Sequence, residues 1–126
     1  AMRALGASIE ISGNEVMVEG KGIHGLTEPD HIIDCGNSGT TTRLLIGLLS
    51  PQQFTTSLTG DKYLQARPMR RVVDPLTQMG AKIEGNENGN KLPLTIKGSN
   101  LTGISYELPV ASAQVKSAII LAGMYA

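Results

Sequence analysis

The run Asn37-Ser38-Gly39-Thr40-Thr41-Thr42-Arg43 joins an extended Ile32-Ile33-Asp34-Cys35 to an apolar Leu44-Leu45-Ile46-Gly47-Leu48-Leu49. Asn37 or Ser38 can cap a helix that opens here, and Gly39 lets the backbone come close to a ligand. The first-turn N–H groups of such a helix have no internal acceptors, so a phosphate or a carboxylate is the ligand that satisfies them. The same residues also describe an ordinary capped helix with no ligand. What decides between the two is what the rest of the chain brings to that helix end.

Other reactive side chains offer less. Cys35 is the only cysteine, so the chain has no internal disulfide, which fits a reducing, cytoplasmic compartment. A nucleophilic thiol needs a base beside it, and neither His24 nor His31 is placed by spacing to act as one, so Cys35 reads as a small core residue. The 11 basic residues are matched by 11 acidic ones, which leaves no global field to recruit nucleic acid or an acidic membrane. With one Phe, three Tyr and no Trp, the chain also lacks stacking platforms for single-stranded nucleic acid. No apolar run reaches the roughly 18 residues that cross a bilayer, and no basic segment followed by an apolar one opens the chain. At 40% hydrophobic and 17% charged residues, the composition is that of a packed globule.

The elements that must position the helix end repeat. Arg3-Ala4-Leu5-Gly6-Ala7-Ser8-Ile9-Glu10 recurs in kind as Thr77-Gln78-Met79-Gly80-Ala81-Lys82-Ile83-Glu84. Val18-Glu19-Gly20 with Gly25 parallels Ile96-Lys97-Gly98 with Gly103, and the capped helix from Ser38 to Leu49 parallels Ser112 to Gly123. Such self-similarity marks one supersecondary unit used more than once.

Read between its two starts, the unit has a strand at 32–35, a helix at 40–49 and a strand at 54–59 closed by Gly60. A second helix opens at Arg67-Pro68, carries an apolar stripe of Met69, Val72, Val73, Leu76 and Met79, and stops at Gly80. Pro75 is expected to bend it or shorten its ladder. Strands at 81–84 and 92–97 follow, joined by a polar turn-forming linker, Gly85 to Lys91. The first helix of each unit is apolar on nearly all sides, which predicts burial between layers with its amino end at a cleft. Residues 1–30 read as the end of one unit, 31–98 as a complete unit and 99–126 as the start of the next, about one and two-thirds units in all. The expectation is a fragment of a longer protein, with self-association through the surfaces that truncation leaves open.

Three motifs in order now carry a resemblance: Gly36-Asn37-Ser38-Gly39-Thr40-Thr41-Thr42-Arg43, Gly60-Asp61 followed by Arg67-Pro68-Met69, and Pro109-Val110-Ala111-Ser112-Ala113-Gln114-Val115-Lys116-Ser117. On them the chain resembles the 5-enolpyruvylshikimate-3-phosphate synthases, which are 3-phosphoshikimate 1-carboxyvinyltransferases. The resemblance implies an α/β (α+β) fold of repeated βαβαββ units of the enolpyruvyl transferase inside-out barrel type. In that family each of two domains holds three such units, so 1–126 corresponds to part of the N-terminal domain. The implied reaction moves the enolpyruvyl group of phosphoenolpyruvate to the 5-hydroxyl of shikimate 3-phosphate, in aromatic amino acid biosynthesis, with no metal and no organic cofactor.

The resemblance also assigns residues. Arg67 corresponds to the arginine that clamps phosphoenolpyruvate, and a planar guanidinium has the shape for that. Gly39 corresponds to the glycine that leaves room for phosphoenolpyruvate, or for the herbicide glyphosate in its place. Ser112, Ala113 and Gln114 match the positions that hold shikimate 3-phosphate, Gln114 also lying near phosphoenolpyruvate. Asn37, Thr40 and Arg43 are supporting residues. Arg43 follows one turn into a buried helix, where a charge calls for an ion-pair or site-supporting role. Lys62 and Tyr63 are assigned nothing, and Arg70, Arg71 and Lys116 read as solvated charges. The family's catalytic acids and bases find no match among these residues, so the chain alone is expected to be inactive. Two other readings remain open at this point: a relative that transfers enolpyruvyl to UDP-N-acetylglucosamine, and a non-catalytic module with anion-binding helix ends.

Overall fold

The computed structural model describes residues 1–126. Strand β1 (Ser8–Ser12) turns back through Gly13-Asn14 onto β2 (Glu15–Glu19), antiparallel, with Ser12 paired to Glu15. Gly13 takes φ 58°, the positive value such a tight turn favours. This hairpin is a sheet of its own. Its register puts Ile9, Ile11, Val16 and Val18 on one face, and that face is open, with Ile11 64% and Val16 61% exposed.

The second sheet contains β3 (Ile33–Asp34), β4 (Thr55–Thr59), β5 (Lys82–Gly85) and β6 (Lys91–Lys97) in the order β3-β4-β6-β5. Strand β3 runs parallel to β4, while β6 is antiparallel to both β4 and β5. Along β6 the burial alternates, with Leu92, Leu94 and Ile96 inside, so one face of the sheet carries the core. Helices α1 (Gly39–Leu49), α3 (Arg70–Gln78) and α5 (Ala113–Gly123) pack on one another and complete that core, where Ile46, Leu58, Val72, Leu76 and Ala118 are fully buried.

From β3 to β6 the strands and the two long helices follow the order read from the sequence. The repeat is visible in the backbone as well. Gly6 and Gly80 both take positive φ, 100° and 108°, before their hairpins. The carbonyl before each glycine accepts a backbone N–H from a threonine downstream: Leu5 from Thr27, and Met79 from Thr102, both at 2.8 Å.

Several expectations need correction. One short helical turn was not read from the sequence, α2 (Lys62–Gln65), capped by the Asp61 carboxylate on the Leu64 N–H; the polar linker holds a tight turn, labelled α4 (Asn86–Gly89), in which Glu87 and Asn88 take positive φ, 51° and 60°. Helix α3 starts at Arg70 rather than at Arg67-Pro68, because its free amides are taken from a distance: Asn90 accepts from Met69 N–H with its carbonyl and from Arg70 N–H with its side chain. Pro75 sits inside α3 without ending it, at the loss of one ladder bond. Helix α5 is not enclosed. It buries Val115, Ala118 and Ala122 against α1 and α3 and leaves Ile120 57% exposed, since those two helices cover only one of its sides. Residues 2–6 form turns.

Candidate functional site

Ser38 caps α1, its hydroxyl accepting from the Thr41 N–H at 3.0 Å, and Ser112 caps α5 in the same way through Val115. Neither helix has an acidic residue in its first turn, so the positive end of each dipole is uncompensated. The two helices lie parallel. Thr40 and Arg43 near the start of α1 meet Gln114 at the start of α5, and one turn on from Arg43, Gly47 meets the backbone of Ala118. Both amino ends therefore open at the same end of the helical layer, where the Arg67-Pro68 segment also arrives.

The guanidinium of Arg43 donates to Gln114 Oε1 at 2.7 Å and to the Pro68 carbonyl at 3.2 Å, while Gln114 Nε2 donates to Thr40 Oγ1 at 2.8 Å. Arg67 reaches across Gly39. A β-carbon built on Gly39 would stand 2.6 Å from Arg67 Nη1 and 2.9 Å from Arg43 Nη1. Beside them lies an open depression of ≈ 450 Å³ bounded by Arg43, Pro68, Arg71, Ser112, Ala113 and Gln114. Burial, then the charges of Arg67 and Arg71, push the Arg43 pKa below its ordinary value. The ion pairs of this chain, His31 with Asp30, Lys91 with Glu87 and Lys97 with Glu84, all lie elsewhere, so none of these three arginines has a carboxylate partner. Arg43 is therefore held by an amide and a carbonyl in place of an ion pair. Repelling cations gathered at two uncompensated helix ends define a place for an anion.

Of the residues singled out in the sequence, Gly39, Thr40, Arg43, Arg67, Ser112, Ala113 and Gln114 come together here. Asn37 stands back from the depression and donates to the Asp61 carboxylate at 3.0 Å, which ties the loop before α1 to the cap of α2. The Leu64 amide and this Asn37 bond hold the Asp61 carboxyl below its usual pKa. Cys35 is buried in the core, and its burial pushes the thiol pKa up, away from nucleophilic use. Arg71 is exposed, as a solvated charge is, and it also lines the depression. A cation in the first turn of a helix that has no acid there stands where the dipole disfavours it.

The contact around Gly39 yields a direct test. Gly39→Ala forces both guanidinium tips to retreat, which flexible side chains do at little cost in stability, but it fills the space before them. Affinity for a small anion is expected to fall about tenfold, with the thermal midpoint nearly unchanged. Calorimetric titration beside a melting curve would check both, and unchanged affinity would remove Gly39 from the site.

The family model for EPSP synthase (3-phosphoshikimate 1-carboxyvinyltransferase) matches residues 1–126. The chain is 61% identical over 126 residues to the 3-phosphoshikimate 1-carboxyvinyltransferase of Geobacter sulfurreducens, covering all of this chain and 29% of that protein. It is 55% identical over 123 residues to the protein of that name from Herpetosiphon aurantiacus, covering 98% of this chain and 28% of the relative. A solved EPSP synthase from Acinetobacter baumannii superimposes with a TM-score of 0.96 at 49% identity, over all of this chain and 29% of that one. The chain thus spans under a third of its relatives' length. No helix in it is long and apolar enough to cross a membrane. In sequence and in fold, this chain belongs to the EPSP synthase (3-phosphoshikimate 1-carboxyvinyltransferase) family.

Proposed function

We propose that the chain forms one wall of a cleft that transfers the enolpyruvyl group of phosphoenolpyruvate to the 5-hydroxyl of shikimate 3-phosphate. The observation that carries this reading is the cluster of Arg43, Arg67 and Arg71, without carboxylate partners, at the joined amino ends of α1 and α5. Both substrates are polyanions, and both need such donors.

In this reading Arg67 and the open space over Gly39 receive phosphoenolpyruvate. Ser112, Ala113 and Gln114 receive shikimate 3-phosphate, and Gln114 reaches both substrates. A capping serine is compatible with that work, because a phosphate at a helix amino end uses the same N–H groups. Asn37, Thr40 and Arg43 support these residues. The residues around the depression include no carboxylate and no imidazole, so this wall binds and orients while proton transfer falls to groups outside it. The apolar hairpin face of Ile9, Ile11, Val16 and Val18 is, in the same reading, a surface for contact with the remainder of the protein or with a second copy.

Calorimetric titration of the chain with each substrate, together with an assay for phosphate release, tests the proposal. Weak binding of both substrates without turnover is expected. Turnover by the chain alone would overturn the one-wall reading, and absence of any heat with either substrate would leave only a structural module.

A further inference from the structure

We propose that Arg43 is a positioning residue that fixes which end of the Gln114 amide faces the ligand. The proposal rests on the reading of this cleft as an anion site. A glutamine amide has an acceptor end and a donor end that are nearly equal in size, so shape alone does not choose between its two orientations. Chemistry chooses here. A guanidinium has only donors, so Arg43, 2.7 Å away, engages Oε1 and no other atom of that amide. Nε2 is thereby turned to Thr40, whose hydroxyl accepts one of its two hydrogens at 2.8 Å. The second hydrogen remains for an acceptor oxygen of the ligand, on a residue that lines the depression.

The reversed amide is disfavoured twice. It would set NH2 against guanidinium, donor against donor, and would turn a carbonyl toward an anion. Swinging Arg43 fully aside to accommodate that arrangement would also give up the bond from its other nitrogen to the Pro68 carbonyl. That second bond also fastens the amide's orientation to the segment that carries Arg67. One side chain therefore sets the donor pattern of α5 and registers it against the arginine opposite.

The fork is the essential feature, which separates positioning from charge. Arg43→Lys keeps the cation but offers a single point that cannot span Gln114 and Pro68 together. In the wild-type background Arg43→Lys is expected to weaken binding of phosphoenolpyruvate about tenfold, and in a Gln114→Ala background to cost nothing further. A cost that persists in the Gln114→Ala background would show Arg43 acting directly on the ligand and would overturn the proposal.

A readout without ligand is the pair of Gln114 Nε2 proton signals in a nitrogen-15 labelled chain. One slowly exchanging set is expected in the wild type, and averaged or doubled signals in Arg43→Met at an unchanged thermal midpoint. Signals indifferent to Arg43→Met would refute positioning, whether or not a ligand binds. A wild-type chain with one slowly exchanging set that ignores both inorganic phosphate and phosphoenolpyruvate would support the positioning claim and overturn the anion-site reading instead.

Discussion

Arg67→Met, placed in a protein of the relatives' full length, is expected to lower affinity for phosphoenolpyruvate by about 30-fold to 150-fold, the equivalent of about 2–3 kcal/mol for a lost charge-assisted pair. The stability of the unliganded protein should not fall with it. Arg67 has no acid to lose, and its charge is one of the two that depress the Arg43 pKa, so removing it relieves repulsion between neighbours. Loss of binding with an unchanged or raised melting temperature separates a ligand-binding arginine from a structural one. The opposite pattern, a lower melting temperature with affinity intact, would take Arg67 out of the site. Arg67→Lys should fall between, since an ammonium keeps the charge but cannot present a planar pair of donors.

The second large effect concerns Gly47, which does not line the depression. A β-carbon there would stand 2.2 Å from the Ala118 carbonyl oxygen and 2.7 Å from Ala118 Cα, so α1 and α5 touch backbone to backbone at this point. Gly47→Ala must separate the helices, because no flexible side chain is available to yield. Overpacking of this kind costs about 1–3 kcal/mol, and the upper end is expected where the obstacle is main chain. Urea denaturation should record it. The separation also draws Gln114, one turn upstream of Ala118, away from Arg43, so anion binding should weaken in the same variant. A loss under about 0.5 kcal/mol, within the range of an ordinary surface change, would mean that the helices are free to adjust.

What was legible in the sequence was local. Ser38 and Ser112 announce their helices because a cap needs only its own first turn, and Gly6 and Gly80 repeat because both hold a positive φ before a hairpin. Strand β6 shows its buried side through the alternation of Leu92, Leu94 and Ile96. The motifs shared with the family brought Gly39, Arg67 and Gln114 to notice. What was not legible depended on partners distant in the chain. Asn90 sets the start of α3 from the far side of a hairpin, and no pattern near Arg67 reports it. The enclosure expected of α5 failed because an apolar helix does not reveal how many neighbours this chain gives it. That Arg71 also lines the depression is not readable from its own neighbours, because the depression is formed with Arg43, a residue of another helix.

The open hairpin has a further consequence, for crowding. Strand β2 reads Glu15-Val16-Met17-Val18-Glu19, a palindrome in residue type, and its outer edge has no strand beside it. Two copies laid edge to edge and antiparallel about Met17 would match valine with valine across the seam but set Glu15 against Glu19 at both ends. Carboxylates facing each other across a pair of strands repel, and charged residues at a free edge are a common guard against sheet extension from molecule to molecule. This open ribbon thus carries its own deterrent to sheet extension, in the two glutamates that frame its valines.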